Sequence, residues 1–291
     1  MDALHAPAAI AGLIALGAGG CAGPREQLDV RYDERFGDST TMDVYLPEEA
    51  RGPRPAVMLI HGGGWSGGSR DHYTAAAKRL ADSGWVAATI EYRLVPDGAF
   101  PRAVQDCLCA LSYMRGHAAE LEIDPERIAV MGYSAGGHLS SLIGVAADVD
   151  ELQPDCAAGP TGFPAAVIPG AGIHDFHGKD HEVVENFLGG SEAEVSENYR
   201  LASPIEHVAG SKPPFLLFHG DGDWFVSVDE SRAMRDALLD AGNAAELLEM
   251  GGVGHLVSSG ADLGSAEIVP ERPEVWLALA DFLERTMGAP P

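Results

Sequence analysis

Gly132-Tyr133-Ser134-Ala135-Gly136 constrains this chain more than any other stretch. The residues before it, Arg127 to Met131, are β-branched and apolar without polar alternation, the pattern of a strand buried on both faces of a parallel sheet. The residues after it, His138 to Ile143, continue as a helix. A strand that becomes a helix within a few residues forces the middle residue of the turn into a strained backbone conformation. Glycines two before and two after that residue let the strand and helix approach each other. The turn lifts the Ser134 hydroxyl out of the fold at a helix N-terminus, where free N–H groups favour negative charge.

Charge narrows the partners. Asp and Glu number 44 against 19 Lys and Arg, a formal net charge of -25. The only lysines are Lys78, Lys179 and Lys212. No cationic cluster exists for a nucleic-acid surface, and anionic substrates or lipid headgroups are disfavoured for the same reason. A hydrophobic fraction of 46% is ample for a large core, and α/β folds of 291 residues occur as single units.

Residues 1–24 read as a leader, followed by a single domain over 25–291. Ala8 to Leu16 is an apolar run too short to span a bilayer, and small residues lead from it to Cys21. That ending resembles a bacterial lipoprotein cleavage site, although Asp2 precedes the run and Ala18 stands where that motif usually has Leu. The expectation is export to the periplasm, with membrane attachment only through a lipid on Cys21; an unstructured tail on a cytoplasmic protein is the alternative. If Cys21 carries lipid, Cys107, Cys109 and Cys156 remain, and an odd number cannot all pair. Cys107 and Cys109 lie two apart on an expected helix and face different directions. No spacing resembles a zinc site, and no metal or other cofactor is expected.

Along the chain, Leu28 to Tyr32 and Thr41 to Leu46 alternate polar and apolar residues, as in a hairpin at a sheet edge. Pro55 to His61 reads as a buried strand, His72 to Ser83 as a helix and Trp85 to Tyr92 as the next strand. A long amphipathic helix over Phe100 to His117 closes in a turn at Ile123-Asp124-Pro125. After the central strand and its turn come a strand over Ala165 to Ile173 and a polar, His-rich stretch to about Lys212. Strands at Pro214 to His219 and Ala245 to Met250 flank a helix from Asp229 to Ala241, and Pro273 to Met287 closes the chain. Strands alternating with helices imply parallel β-α-β units. The expected architecture is therefore an α/β three-layer αβα sandwich around a mostly parallel eight-stranded sheet, with a small insert before the seventh strand.

Several residues then fall into a chemical order. His61-Gly62-Gly63-Gly64-Trp65 follows the third strand, where glycines let backbone N–H groups approach a substrate closely. With the N–H of Ala135, Gly63 and Gly64 can hold a developing oxyanion. A phosphate loop would need a Lys-Ser/Thr that is absent here. Serine as a nucleophile needs a base and an acid to orient that base. On a sheet of this kind they follow in the order Ser, acid, His. Of the late histidines, His219 precedes the candidate acids, whereas His255 follows the last strand in the Gly-rich loop Gly251 to His255. The acid belongs to the loop after Phe215 to Phe218, which offers Asp221 and Asp223. Asp229 and Glu230 suit the first turn of a helix. His174-Asp175-Phe176-His177 with Asp180, His181 and Glu182 reads as a solvated acidic loop, or a short cap or pocket-rim insert, in preference to a metal site. His138 reads as a core or supporting residue.

From about Leu28 to Met287 these features resemble the α/β-hydrolase superfamily. Within it they resemble the small carboxylesterases of the feruloyl and acetylxylan esterase-like and hormone-sensitive-lipase-like groups. The resemblance rests on His61 to Trp65, Glu91-Tyr92-Arg93-Leu94 with Phe100-Pro101 and Asp106, and Gly132 to Gly137. It extends to Ser203-Pro204 with His207-Val208, and to His219-Gly220-x-x-Asp223-x-x-Val226. Hormone-sensitive-lipase-like esterases carry a helical cap before the first strand, for which too few residues precede Leu28 here.

The resemblance places the catalytic acid on Asp223, beside Ser134 and His255, and implies substrate contacts from Trp65 and Tyr133. Helices like Phe100 to His117 in related hydrolases carry an aliphatic residue just after the Asp106 position. That implies a Cys109–Cys156 disulfide in an exported chain, with Cys107 a buried thiol. The expected activity is hydrolysis of small-molecule, short-chain acyl esters by a monomer or weak dimer. An arylformamidase or peptidase-like amide hydrolase, or a non-catalytic binding protein on the same scaffold, are the other readings.

Overall fold

The computed structural model describes residues 23–49, 52–156, 162–255 and 272–291. Cys21 and most of the expected leader lie outside the described residues. One eight-stranded sheet runs through the molecule in the order β1-β2-β4-β3-β5-β6-β7-β8. β1 (Arg25–Arg31) and β2 (Thr41–Leu46) are the expected antiparallel pair, joined through a 3-10 turn at Glu34–Thr40. β3 (Arg54–Ile60) and β4 (Val86–Ile90) flank α1 (Thr74–Asp82), and α2 (Arg102–Gly116) leads to β5 (Ile123–Tyr133) and α3 (Ala135–Ala146). β6 (Ala166–Gly170), β7 (Phe215–Gly220) and β8 (Ala245–Met250) complete the sheet, with α6 (Val228–Asp240) between the last two. α7 (Pro273–Met287) closes it. From β3 to β8 every pairing is parallel, and β2 alone runs against its neighbours.

The pleat divides the core in two. Ile128 and Val130 of β5 point to the face covered by α2, α3 and α6, and Ala129, Met131 and Tyr133 to the face covered by α1 and α7. Met58 and Ile60 of β3 join the first cluster, Val57 and Leu59 the second. Both faces of the central strands are thus apolar, which is why they read as unbroken hydrophobic runs.

Two segments differ from expectation. Ile123-Asp124-Pro125 is not a turn but the start of β5, which pairs with Arg54 and then shifts register before Ala56 meets Ile128. Pro125 falls in that irregular stretch, where a missing N–H costs no ladder bond. The polar, His-rich stretch is a solvated loop only in part, with residues 177, 178 and 180–183 exposed, and otherwise forms the short pocket-rim insert that is its other expected reading. It folds into α4 (Glu182–Leu188) and α5 (Glu192–Ala202), with His174, Phe176 and Phe187 fully buried. Ser191 and Glu194 form a capping box that starts α5, satisfying two otherwise orphaned donors. Cys109 and Cys156 form a disulfide, and Cys107 is a buried free thiol.

Candidate active site

The turn after β5 has the geometry that its glycines imply. Ser134 sits at φ 56°, ψ -120°, immediately before the first residue of α3. Its N–H donates to the Gly170 carbonyl at 2.8 Å, and its own carbonyl accepts from the His138 N–H at 2.9 Å. A Cβ on Gly132 would lie 2.2 Å from the Gly136 carbonyl oxygen, and one on Gly136 would lie 2.0 Å from that of Ile60. No side chain fits either gap, so the tight approach of α3 to β3 and β5 depends on both glycines.

β3 pairs with β5, Ile60 opposite Gly132, so the His61 to Trp65 loop leaves the sheet beside Ser134. Gly63 (φ 118°) and Gly64 (φ 58°) give the loop its left-handed course, and a Cβ on Gly63 would strike the Gly67 carbonyl oxygen at 2.2 Å. The fully buried His61 ring stacks on Tyr92 at 4.3 Å and faces Glu91 through Nε2 at 3.4 Å. Tyr92 donates its hydroxyl proton to the His61 carbonyl at 3.0 Å. Glu91 in turn accepts the Arg70 N–H at 3.1 Å. These contacts explain why Glu91-Tyr92 accompanies the glycine loop in sequence.

Trp65 has its ring stacked on Phe187 of α4 at 4.4 Å, and its indole N–H donates to Nδ1 of His138 at 3.2 Å. Nε2 of His138 then donates to the Ala202 carbonyl at 2.9 Å. Burial pushes the His138 imidazole down to about 4, outweighing the upward pull of the Ala202 carbonyl. The unfolded chain therefore takes up this proton first as pH falls, so native stability is lost between the ordinary histidine pKa near 6.5 and 4. That amounts to about 2 kcal/mol by pH 5. Urea unfolding should show the loss in wild type and a flatter pH profile in His138→Gln. A His138→Gln profile parallel to wild type would show that this proton is not the source.

The third and fourth contributions come from β7 and β8. Asp223 lies in the turn after β7, and Nδ1 of His255 donates to its Oδ2 at 2.6 Å. The other carboxylate oxygen, Oδ1, accepts the N–H groups of Phe225 and Val226, both at 2.9 Å. Burial raises the Asp223 carboxyl, but hydrogen bonds from His219, His255 and the Val226 N–H outweigh it. They hold the group well below the usual carboxylate range. Asp221 points elsewhere, its carboxylate accepting the Gly252 N–H at 2.6 Å. The His255 ring lies 5.1 Å from that of Tyr133, the residue before Ser134.

Ser134, the glycine loop, Asp223 and His255 thus all emerge from carboxyl ends of strands, beside the point where the strand order reverses. A cavity of about 380 Å³ opens there, lined by Ser134, Ala135, Gly64, Trp65 and an apolar wall of Ile173, Val183, Val184 and Val226, with Trp224 and Phe225 at its mouth. Tyr133 is not part of the lining. It is fully buried, because the β5 pleat carries its side chain to the opposite face, where it supports His255. The apolar wall escaped sequence reasoning because Val183 and Val184 stand among acidic residues. For Trp224 and Phe225 a signal existed in their place directly after Asp223. Among the described residues no group of three or more His, Cys, Asp or Glu side chains is arranged to hold a metal ion.

Sheet order, the strained serine turn and the glycine loop together define an α/β-hydrolase-like fold. The chain belongs to the BD-FAE family, whose model matches residues 42–238. Among its relatives are two Mycobacterium tuberculosis proteins. Esterase LipC is 33% identical over 213 residues, covering 70% of this chain and 53% of LipC. Esterase LipQ is 30% identical over 268 residues, covering 87% of this chain and 62% of LipQ. The chain thus spans just over half to about three fifths of these relatives' lengths. The apo form of Thermogutta terrifontis esterase 2 superposes with a TM-score of 0.73 at 27% identity, covering 92% of this chain and 97% of that one. Structures of the same esterase are described as butyrate-bound and as phosphorylated by paraoxon.

Proposed function

We propose that the chain is a serine carboxylesterase. The observation that carries the reading is the Asp223–His255 pair at 2.6 Å at the same carboxyl-terminal end of the sheet as the strained Ser134 turn. Ser134 Oγ attacks the ester carbonyl while His255 Nε2 takes its proton, and Asp223 fixes the tautomer and stabilises the imidazolium formed. The N–H groups of Gly63, Gly64 and Ala135 hold the tetrahedral oxyanion, each such donor contributing about 3–4 kcal/mol in the transition state. His255 returns the proton to the departing alcohol, and water then releases the acid from Ser134 by the same steps in reverse order. Labelling by a fluorophosphonate, lost in Ser134→Ala, tests the assignment; equal labelling of both proteins would refute it.

Short acyl groups suit the site. The cavity is small enough that a long chain would run past Trp224 and Phe225 into solvent, leaving most of its methylenes with nothing to bury against. A neighbour of similar fold is described as butyrate-bound, which supports the same reading. Acetyl to butyryl p-nitrophenyl esters are expected to give at least tenfold higher kcat/KM than dodecanoyl, and the reverse order would reject the idea. The Cys109–Cys156 disulfide supports an exported location, since such bonds persist in oxidising compartments.

A further inference from the structure

Asp223 lies between two histidines, and the second, His219, has no part in the scheme above. His219 is the penultimate residue of β7 and fully buried. Its Nε2 faces the Val226 carbonyl at 3.0 Å and Asp223 Oδ2 at 3.3 Å, and both neighbours only accept, so Nε2 carries a hydrogen. On the other side of the ring, Nδ1 lies 2.8 Å from the hydroxyl of Ser231, a fully buried residue in the first turns of α6. The ring is therefore fixed at both nitrogens, and its Nε2–H, bonded to the Val226 carbonyl, also lies within 3.3 Å of the oxygen that receives His255 Nδ1.

Resting on the triad reading above, we propose that His219 is a positioning residue. With Ser231 holding its ring, it shares Oδ2 of Asp223 with His255 and so sets both the carboxylate's orientation and the charge His255 sees. Phe225 and Val226 donate to Oδ1 and His255 to Oδ2, and the His219 Nε2–H stands against Oδ2 as a second, longer contact at 3.3 Å. A burial this complete leaves the carboxylate no other means of being held, since its side chain is fully shielded from water. The low-lying Asp223 carboxyl, in which His219 is the largest favourable contribution, agrees with the geometry. Other titratable groups near the pair have partners or places of their own. Glu249 binds Arg232, Asp221 binds the Gly252 N–H, and Tyr133 packs on the His255 ring. His174, buried in the same region, is held well below its ordinary value by burial first and by His219 and His138 next.

Removing a donor from Oδ2 leaves more negative charge for the His255 imidazolium. The acid limb of the kcat/KM profile must then move to higher pH. His219→Leu is expected to lower kcat/KM tenfold to a hundredfold, roughly the weight of one charge-assisted hydrogen bond, and to raise the acid limb by about half to one pH unit. His219→Gln, which can place an N–H where Nε2 stands, should return the limb to its wild-type position. Ser231→Ala, which frees the ring, should move it in the same direction as the leucine variant. All rates are to be normalised to sites titrated with a fluorophosphonate, so that losses of folded protein do not count. Coincident acid limbs in wild type and His219→Leu would overturn the proposal, and if that variant does not fold, an unmoved limb in Ser231→Ala would do so. Asp223→Asn in the same panel separates the two readings. Full activity there overturns the triad as well, whereas an inactive Asp223→Asn with unmoved limbs overturns this inference alone.

Discussion

Ser134→Ala is expected to lower kcat for ester hydrolysis by about 10⁴–10⁶ while leaving the fold unchanged. The loss is large because the hydroxyl is the atom that forms the acyl bond, and no neighbouring group replaces it. The fold should survive because the turn is held by main-chain bonds, Ser134 N–H to Gly170 and His138 N–H to Ser134, which alanine keeps. Its φ of 56° is strained for alanine as for serine, so melting temperatures of the two proteins should agree within a few degrees. A purified alanine variant with wild-type turnover would dispose of the nucleophile assignment.

The second large effect separates two aspartates only two residues apart. Asp223→Asn should cost on the order of 10⁴ in kcat, because an amide can donate toward His255 Nδ1 and so favour the wrong tautomer. Asp221→Asn should leave turnover within a few-fold and lower stability by about 1 kcal/mol, the weight of one hydrogen bond. The structure ties that cost to the loop carrying His255, since Asp221 accepts the Gly252 N–H rather than a donor in its own turn. Kinetics and thermal unfolding of both variants decide the point. A kinetic loss confined to Asp221→Asn would reverse the two roles.

The parts of this arrangement that were legible in the sequence are those where chemistry and geometry demand the same residue. Gly132 and Gly136 admit no Cβ, and β8 and α7 begin and end where their hydrophobic periods do. Loop order alone separated His255 from His219 as the candidate base. Two errors have a common cause, which is that sequence proximity does not give direction. Tyr133 adjoins Ser134 in the chain, yet strand alternation sends its side chain through the sheet, away from the cavity. In the stretch 174–202 the apolar residues that face the core, Phe176, Val184, Phe187 and Leu188, are diluted by acidic neighbours and broken by a kink at Val195. Val184, Phe187 and Leu188 keep helical spacing, but each helix turns only one face to the core, and the acidic residues on the other face make the stretch read as a polar loop. His219 shows the converse. Its role depends on Ser231, twelve residues away on α6, and no local pattern links them.

On the proposed esterase mechanism, the stacking of Trp65 on Phe187 has a consequence for how the site can change. The residue that ends the glycine loop and the helix that walls the pocket share one aromatic contact, reinforced where Val183 lies over Gly64 and where the Phe100 N–H donates to the Phe187 carbonyl. Pocket shape and oxyanion alignment are therefore not separate variables. A substitution in α4 that enlarges the pocket for a new acyl group also loosens the loop that must meet the transition state, so gains in binding are offset in turnover. Evolution or engineering of a new specificity on this scaffold has to alter both sides of that contact together. Trp224, exposed at the mouth and in ring contact only with Phe225 among the described residues, is the position where change is cheapest, because Phe225 itself packs 5.2 Å from the His255 ring.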